Sequence, residues 1–230
     1  SEAESIKKYF PDKPVAIIPN GIDVDDYASK ELSGPYEHED SNNYALYLAR
    51  ITQQKGLEIL IKAWSKSSIK DNLTLVVAGP DYAGFERDMI KYANTLGCSD
   101  SIKFIGVLHG EHKKSILSNA KMFILPSHSE GFSMSLLEAS ASSLPILYTT
   151  KCNFPELSLH GGAIEVDDTV EGILVGLNEL SNIDSKQMNI MGAANFNFVA
   201  SKFTWNNISL QYLELCEWLI GKCDKPRFVE

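Results

Sequence analysis

Glu130 and Glu138 stand eight residues apart in the run Ser129-Glu-Gly-Phe-Ser-Met-Ser-Leu-Leu-Glu138. The first carboxylate falls in a glycine-containing loop just after the apolar run Met122-Phe-Ile-Leu125, and the second inside the helix that this loop opens. A loop carboxylate, the free N–H groups of a helix start and a second carboxylate one or two turns on can together grip a polyhydroxylated ligand. The acids accept hydrogen bonds from hydroxyls, and the N–H groups receive oxygens or partial negative charge. The competing explanation for Ser135-x-x-Glu138 is a capping box.

A second group is Ala49-Arg50-Ile-Thr-Gln-Gln-Lys55-Gly56, which puts a cation at the end of a predicted strand and another at the start of the next helix. The chain has three arginines in all (Arg50, Arg87 and Arg227), so the position of each carries information. Two cations about 6 Å apart repel by a few kcal/mol at an effective dielectric of about 20. A diphosphate between them would offset that, with arginine as a two-pronged donor and lysine as a point charge. Each charged hydrogen bond would contribute about 1.5–3 kcal/mol. The plainer alternative is two cations solvated separately on a loop. A third segment, Cys152-Asn-Phe-Pro-Glu156, holds a proline that favours an extended Phe154 and a helix start beyond it. By itself it reads as a turn.

The elements that must position these residues follow from hydrophobic spacing. Apolar runs at Tyr44–Ala49, Leu73–Ala78, Ile102–Val107, Met122–Leu125, Pro145–Tyr148 and Ala163–Val166 read as strands, most of them buried on both faces. Between them, Leu57, Leu60, Ile61 and Trp64 keep helical spacing, as do Phe85, Met89, Tyr92 and Leu96, and then Val170, Ile173, Leu174, Leu177 and Leu180. Strand–helix alternation at roughly 25-residue intervals predicts right-handed crossovers and an α/β fold: a Rossmann-like, doubly wound parallel sheet of about six strands. Such sheets bind ligands at the carboxyl ends of their strands, where the loops after Arg50 and Leu125 both fall.

Residues 1–43 read as an N-terminal segment and connector, with one short strand near Val15-Ile18 and an acidic, Ser/Asn-rich stretch from Glu37 to Asn43. Residues 44–202 form the sheet domain. Residues 203–230 are a C-terminal helix and tail, in which Thr204-Trp-Asn-Asn looks like a helix start and Leu210, Leu213, Trp218 and Leu219 offer a surface for docking.

Composition narrows the function classes. A net charge of −9 leaves no basic face for nucleic acid. The four scattered cysteines, Cys98, Cys152, Cys216 and Cys223, form no CxxC pair, which argues against a zinc site and a disulfide scaffold. With no signal peptide or long apolar span, the expected setting is reducing and cytoplasmic. His109-Gly-Glu-His112 lacks a recognised ligand spacing, so no metal is expected there. No Walker A sequence, no GxGxxG after a strand and no GxSxG elbow occurs.

Taken in order, Ile18-Pro-Asn-Gly-Ile-Asp23, Ala49-Arg50…Lys55-Gly56, Val76-Val-Ala-Gly79, Phe104-Ile-Gly106, Pro126-Ser…Glu130-Gly-Phe…Leu137-Glu138-Ala139, Pro145 and Pro155-Glu156 resemble the C-terminal half of the GT-B glycosyltransferases of family 4. The resemblance runs from about residue 15 to 200 and implies one half of a two-domain enzyme that binds a nucleotide-sugar donor. It implies Arg50 and Lys55 on the diphosphate, and Glu130 with the amides of Gly131, Phe132 and Ser133 on the donor sugar. Glu138 would take the ribose hydroxyls, and Gly106, Val107 and Leu108 would lie near the nucleobase. The implied reaction is retaining and metal-independent, with no cofactor beyond the nucleoside-diphosphate sugar that serves as donor substrate. Arg50, Lys55 and Glu130 are its expected catalytic residues.

The acceptor, a glycan or a lipid-linked sugar, would be held by a half preceding Ser1, so this chain alone would transfer little sugar. A peripheral position at the inner membrane face would follow for lipid-linked acceptors. Two rival functions share the architecture: a GT-B-type sugar-nucleotide epimerase and a non-catalytic interaction domain. The chain departs from the family pattern at Ser133 and Ser135, where Gly and Pro are frequent. It departs again at Ser143, a usual Gly, and at Cys152-Asn153, a frequent Gly-Gly. The sequence does not specify the oligomeric state.

Overall fold

The computed structural model describes residues 2–27 and 43–230. Most of the acidic stretch Glu37 to Asn43 lies outside the described residues. The elements are α1 (Glu2–Tyr9), β1 (Tyr44–Leu48), α2 (Leu57–Lys66), β2 (Thr74–Ala78), α3 (Phe85–Thr95), β3 (Ile102–Gly106) and α4 (Gly110–Asn119). They continue with β4 (Met122–Leu125), α5 (Met134–Ala141), β5 (Ile146–Thr149), α6 (Glu156–Leu159), β6 (Ala163–Val166), α7 (Val170–Ser181), α8 (Ser185–Lys202) and α9 (Trp205–Leu219).

The six strands form one sheet in the order β3-β2-β1-β4-β5-β6. All neighbours are parallel, with Leu46 opposite both Val76 and Phe123. Successive strand side chains point to opposite faces, and here both faces are covered. Leu46, Leu48, Val76, Phe123, Leu125 and Ile146 pack with Ile116, Leu136, Leu137, Phe198 and Val199 from α4, α5 and α8. On the other face Ala45, Tyr47, Leu75, Val77, Ile124 and Leu147 meet Leu57, Leu60, Ile61, Trp64, Met89, Ile173 and Leu177 from α2, α3 and α7. The central strands are therefore continuous apolar runs rather than alternating ones, because no face of them meets water.

Each predicted strand is present, displaced by a residue or so where the run was read too generously: Ala49, Leu73, Val107 and Pro145 fall outside, and Thr149 falls inside. The ends differ more. The predicted strand near Val15-Ile18 is an isolated antiparallel bridge, Ala16 to Val229, flanked by backbone bonds from Val15 to Glu230 and from Ile17 to Phe228. Pro14 and Pro19 bracket it and lack the N–H groups a longer ladder would need. Residues 2–9, read as connector, form α1, and Lys7 of that helix pairs with Glu230 at 2.7 Å.

At the C-terminus Thr204 caps α9, its hydroxyl accepting from Asn207 N–H at 3.3 Å. Ile208 is the fully buried side chain of α9, while Leu210, Leu213 and Leu219 are exposed. Among the described residues no helix is long and apolar enough to cross a membrane.

Candidate functional site: the crevice between β1 and β4

The strand order reverses its winding between β1 and β4. The chain leaves β1 for α2 on one face and leaves β4 for α5 on the other, so the two loops diverge and open a crevice at the carboxyl edge. Arg50 and Lys55 lie in the first loop, Glu130 in the second. The loops are laced together: His128 N–H donates to Gln54 O at 2.9 Å, and Gln54 Nε2 donates to Ser129 O at 3.2 Å. Gly56 lies so close to Pro126 that a Cβ there would sit 1.8 Å from the proline carbonyl oxygen.

Lys55 Nζ meets Glu130 Oε1 at 2.5 Å, with the two side chains 13% and 8% exposed. Ser127 Oγ donates to the same oxygen at 2.6 Å. A carboxylate this far from water requires such partners. The repulsion expected between Arg50 and Lys55 is thus answered within the protein, since Glu130 is the counter-ion of Lys55. Arg50 is exposed and makes no ion pair among the described residues. Burial, and next the charge of Glu130, raise the Tyr47 hydroxyl far above its ordinary range, so it stays protonated; it reaches Arg50 O at 3.2 Å.

The segment Cys152–Glu156, read as a plain turn, fixes the backbone of Glu130. Glu130 N–H donates to Lys151 O at 3.0 Å, and Asn153 Nδ2 donates to Glu130 O at 2.9 Å. Thr149 Oγ1 donates to Ser127 O, tying the end of β5 to the same loop. Phe154 and Phe203 pack on Phe132 with centroids 5.7 and 5.9 Å away, so the aromatic ring following Gly131 is anchored in the core. The helix after Pro155 is only one turn long, and it is Asn153 and the Lys151 carbonyl that act on the site.

Glu138 lies in the second turn of α5, and the capping-box explanation for it fails. The cap is Ser133, whose hydroxyl accepts from Leu136 N–H at 3.4 Å, and Ser135 is already inside the helix. The buried Glu138 carboxylate faces Lys113 of α4, with Nζ to Oε1 2.6 Å. Tyr27 stands beside it, and burial followed by the Glu138 charge raises the phenol well above its usual range. Lys113 and Tyr27 were missed by sequence reading. Lys113 sits next to the rejected His109-Gly-Glu-His112 group, but nothing in the local pattern links it to a residue 25 positions on.

Arg50, Lys55, Val107, Leu108, Phe132, Ser133, Glu130 and Glu138 all line one cavity of about 460 Å³, together with Pro80, His109, Lys113 and Met134. Gly106 and Gly131 adjoin lining residues without lining it themselves. The volume suits a small-molecule ligand. The cavity is cationic beside β1 and carries a carboxylate from each of two further segments. Among the described residues no group of three or more His, Cys, Asp or Glu side chains is placed to hold a metal ion.

The family model "Glycosyl transferases group 1" matches residues 29–195 of this chain. The chain belongs to that family. An uncharacterized glycosyltransferase of Methanocaldococcus jannaschii is 28% identical over 174 residues, covering 74% of this chain and 44% of that protein. Sucrose-phosphate synthase from Thermosynechococcus elongatus superposes with a TM-score of 0.82 at 19% identity, covering 96% of this chain and 57% of that one. An Anabaena protein crystallised with UDP and glucose gives 0.74 at 18% identity, covering 88% and 56%. The last two likenesses concern the fold alone. The chain spans about half the length of the curated relatives it matches.

In this group 1 glycosyltransferase chain, two departures from glycine fall on left-handed backbone, Ser143 with φ 56° and Asn153 with φ 52°. The conformation persists without glycine. Asparagine adopts it at little cost because its short polar side chain bonds locally, and here that side chain also holds Glu130.

Cys152 beside it is buried, and burial pushes its thiol up to about 11 against the Thr149 hydrogen bond, which lowers it. The thiolate is the reactive form. Iodoacetamide at pH 8 is therefore expected to label the exposed Cys216 and to spare Cys152 in the folded protein, as read by peptide mass spectrometry. Labelling of both at equal rates would contradict the packing described. A raised folded value also means that stability from this thiol is complete below its ordinary value of 9.0 and is lost as pH climbs through about 11.

Proposed function

We propose that this chain is the C-terminal, donor-binding half of a retaining, metal-independent glycosyltransferase of family 4. In that reading it binds a nucleoside-diphosphate sugar and passes the sugar to an acceptor glycan or lipid-linked sugar held by the rest of the protein. The reading is carried by one observation, the convergence of Arg50, Lys55, Glu130 and Glu138 on a single cavity at the winding reversal of the sheet.

Arg50, exposed and without an ion-pair partner among the described residues, takes the diphosphate in its guanidinium fork. Lys55 exchanges or shares its bond to Glu130 as the phosphates arrive. Both cations then stabilise the negative charge that grows on the leaving diphosphate in the transition state. Glu130, its backbone fixed by Lys151 and Asn153, orients the donor sugar with the amides that follow it, and Glu138 accepts from the ribose. Val107 and Leu108 form the apolar wall on the nucleobase side. A donor phosphate oxygen takes the acceptor proton. The setting that suits such a donor is the cytoplasm, with a peripheral position at the inner membrane face where the acceptor is lipid-linked.

Thermal unfolding with UDP, GDP and ADP at millimolar concentration, with and without EDTA, tests this reading. One diphosphate is expected to raise the midpoint by about 5–10 °C, the shift for a ligand at roughly a hundred times its Kd. The shift should survive EDTA and vanish in Arg50→Ala. No response to any of the three would leave an interaction domain on the same fold as the better account. Assay of the full-length protein for sugar transfer against release of free sugar separates transferase from epimerase.

A further inference from the structure

Lys113 has a role that the diphosphate chemistry does not require. It lies on α4 and lines the cavity beside Val107, Leu108 and His109. Its neighbour Lys114 turns to Asp26 and Glu111, at 2.9 and 3.2 Å. Lys113 instead brings its ammonium within 2.6 Å of Glu138 Oε1, with the two side chains 29% and 12% exposed.

A glutamate side chain has three rotatable bonds, and a single helical position does not fix where its carboxylate points. Lys113 fixes it. An ammonium has three donor hydrogens; one goes to Oε1, and two remain on a group that lines the same cavity. A carboxylate only accepts and an ammonium only donates, whereas a hydroxyl does both. Side by side they match a pair of neighbouring hydroxyls, the carboxylate taking their protons and the ammonium donating to their oxygens.

We propose that Lys113 is a specificity-determining residue: it positions Glu138, and the two together read the vicinal ribose diol of the nucleotide and reject deoxyribose. This rests on the donor-binding reading above. The competing role for the pair is purely structural, and removing Lys113 would destabilise the fold in either case by leaving the buried Glu138 carboxylate short of a partner. The readout must therefore be selectivity rather than folding.

The experiment is calorimetric titration of the full chain with the diphosphate that protects it and with its 2′-deoxy and 3′-deoxy counterparts, in wild type, Lys113→Met and Glu138→Gln. Wild type is expected to prefer the ribonucleotide by about ten- to a hundredfold, since a site built to bond a hydroxyl disfavours the analogue lacking it. In each variant that preference should fall to within about threefold of unity, with deoxynucleotide affinity changed less than about twofold. Combining the two substitutions should lower the preference no further. The proposal is overturned if Lys113→Met keeps the wild-type preference, or if it weakens ribo- and deoxynucleotides equally. Wild-type binding without any preference sinks it too, while leaving the donor site standing. Failure of wild type to bind any of the diphosphates removes the donor reading, and this one with it.

Discussion

Lys55→Met is expected to abolish nucleoside diphosphate binding and to lower the stability of the chain by about 3 kcal/mol, the low end for breaking a buried pair. The stability loss arises on the partner, not on the lysine. Glu130 is 8% exposed and its Oε1 receives both Lys55 Nζ and Ser127 Oγ. With the ammonium gone the carboxylate keeps only the Ser127 hydroxyl, since the bonds to the Lys151 carbonyl and from Asn153 hold its backbone and not its side chain, and Ser127 alone cannot offset its lost hydration. At about 2–4 °C per kcal/mol for a chain of this size, the thermal midpoint should fall by about 6–12 °C.

The double variant Lys55→Met/Glu130→Gln separates the two effects. It removes the stranded charge, so most of the lost stability should return, while diphosphate binding stays absent because the cation is still missing. Glu130→Gln alone keeps Lys55 and should bind diphosphate within a few-fold of wild type, yet support less transfer in the full-length protein. Urea unfolding and titration of the four proteins give the complete cycle. A double variant no more stable than Lys55→Met would show that the ion pair is not what holds this loop.

The sheet was legible because its central strands are buried on both faces, so each run announces itself by composition without needing partners. Tyr44–Leu48, Thr74–Ala78 and Met122–Leu125 needed only local sequence to be found, and α2, α3 and α7 only a helical stripe. Arg50, Lys55, Glu130 and Glu138 were also legible, as charged residues at strand ends or opening turns, and the structure does gather them. What escaped was pairing. Lys55 and Glu130 are 75 residues apart, Lys113 and Glu138 are 25, and each link exists only because β1 and β4 are neighbours or because α4 and α5 share a face. A local pattern even misled at Ser135, where a capping box fitted the spacing; Ser133, two residues earlier, holds the cap. The segment around Asn153 was legible only as a proline-marked turn before a helix start, since its work is a single side-chain bond to a carbonyl 23 residues away.

Gly56→Ala should be among the most damaging single methyls in the site region, and Gly84→Ala supplies its control. Both glycines precede a helix in left-handed backbone, with φ 69° and 80°. That conformation costs an alanine about 1 kcal/mol wherever it occurs. Around Gly84 a Cβ would meet nothing within 4 Å, so the conformational cost is the whole cost there. At Gly56 the same Cβ would lie 1.8 Å from the Pro126 carbonyl oxygen and 2.8 Å from its carbon. Those atoms are backbone, and they belong to the loop leaving β4. Relief therefore requires the β1 and β4 loops to part, which strains the His128–Gln54 bond and draws Lys55 away from Glu130. We expect Gly56→Ala to cost about 4 kcal/mol or more, in the range reserved for overpacking combined with a broken buried network. Diphosphate affinity should fall with it, while Gly84→Ala loses only about 1 kcal/mol and binds normally. Urea midpoints for the pair decide the matter: equal losses would mean that the approach of the two loops, on which the geometry of the whole crevice depends, exerts no force on the fold.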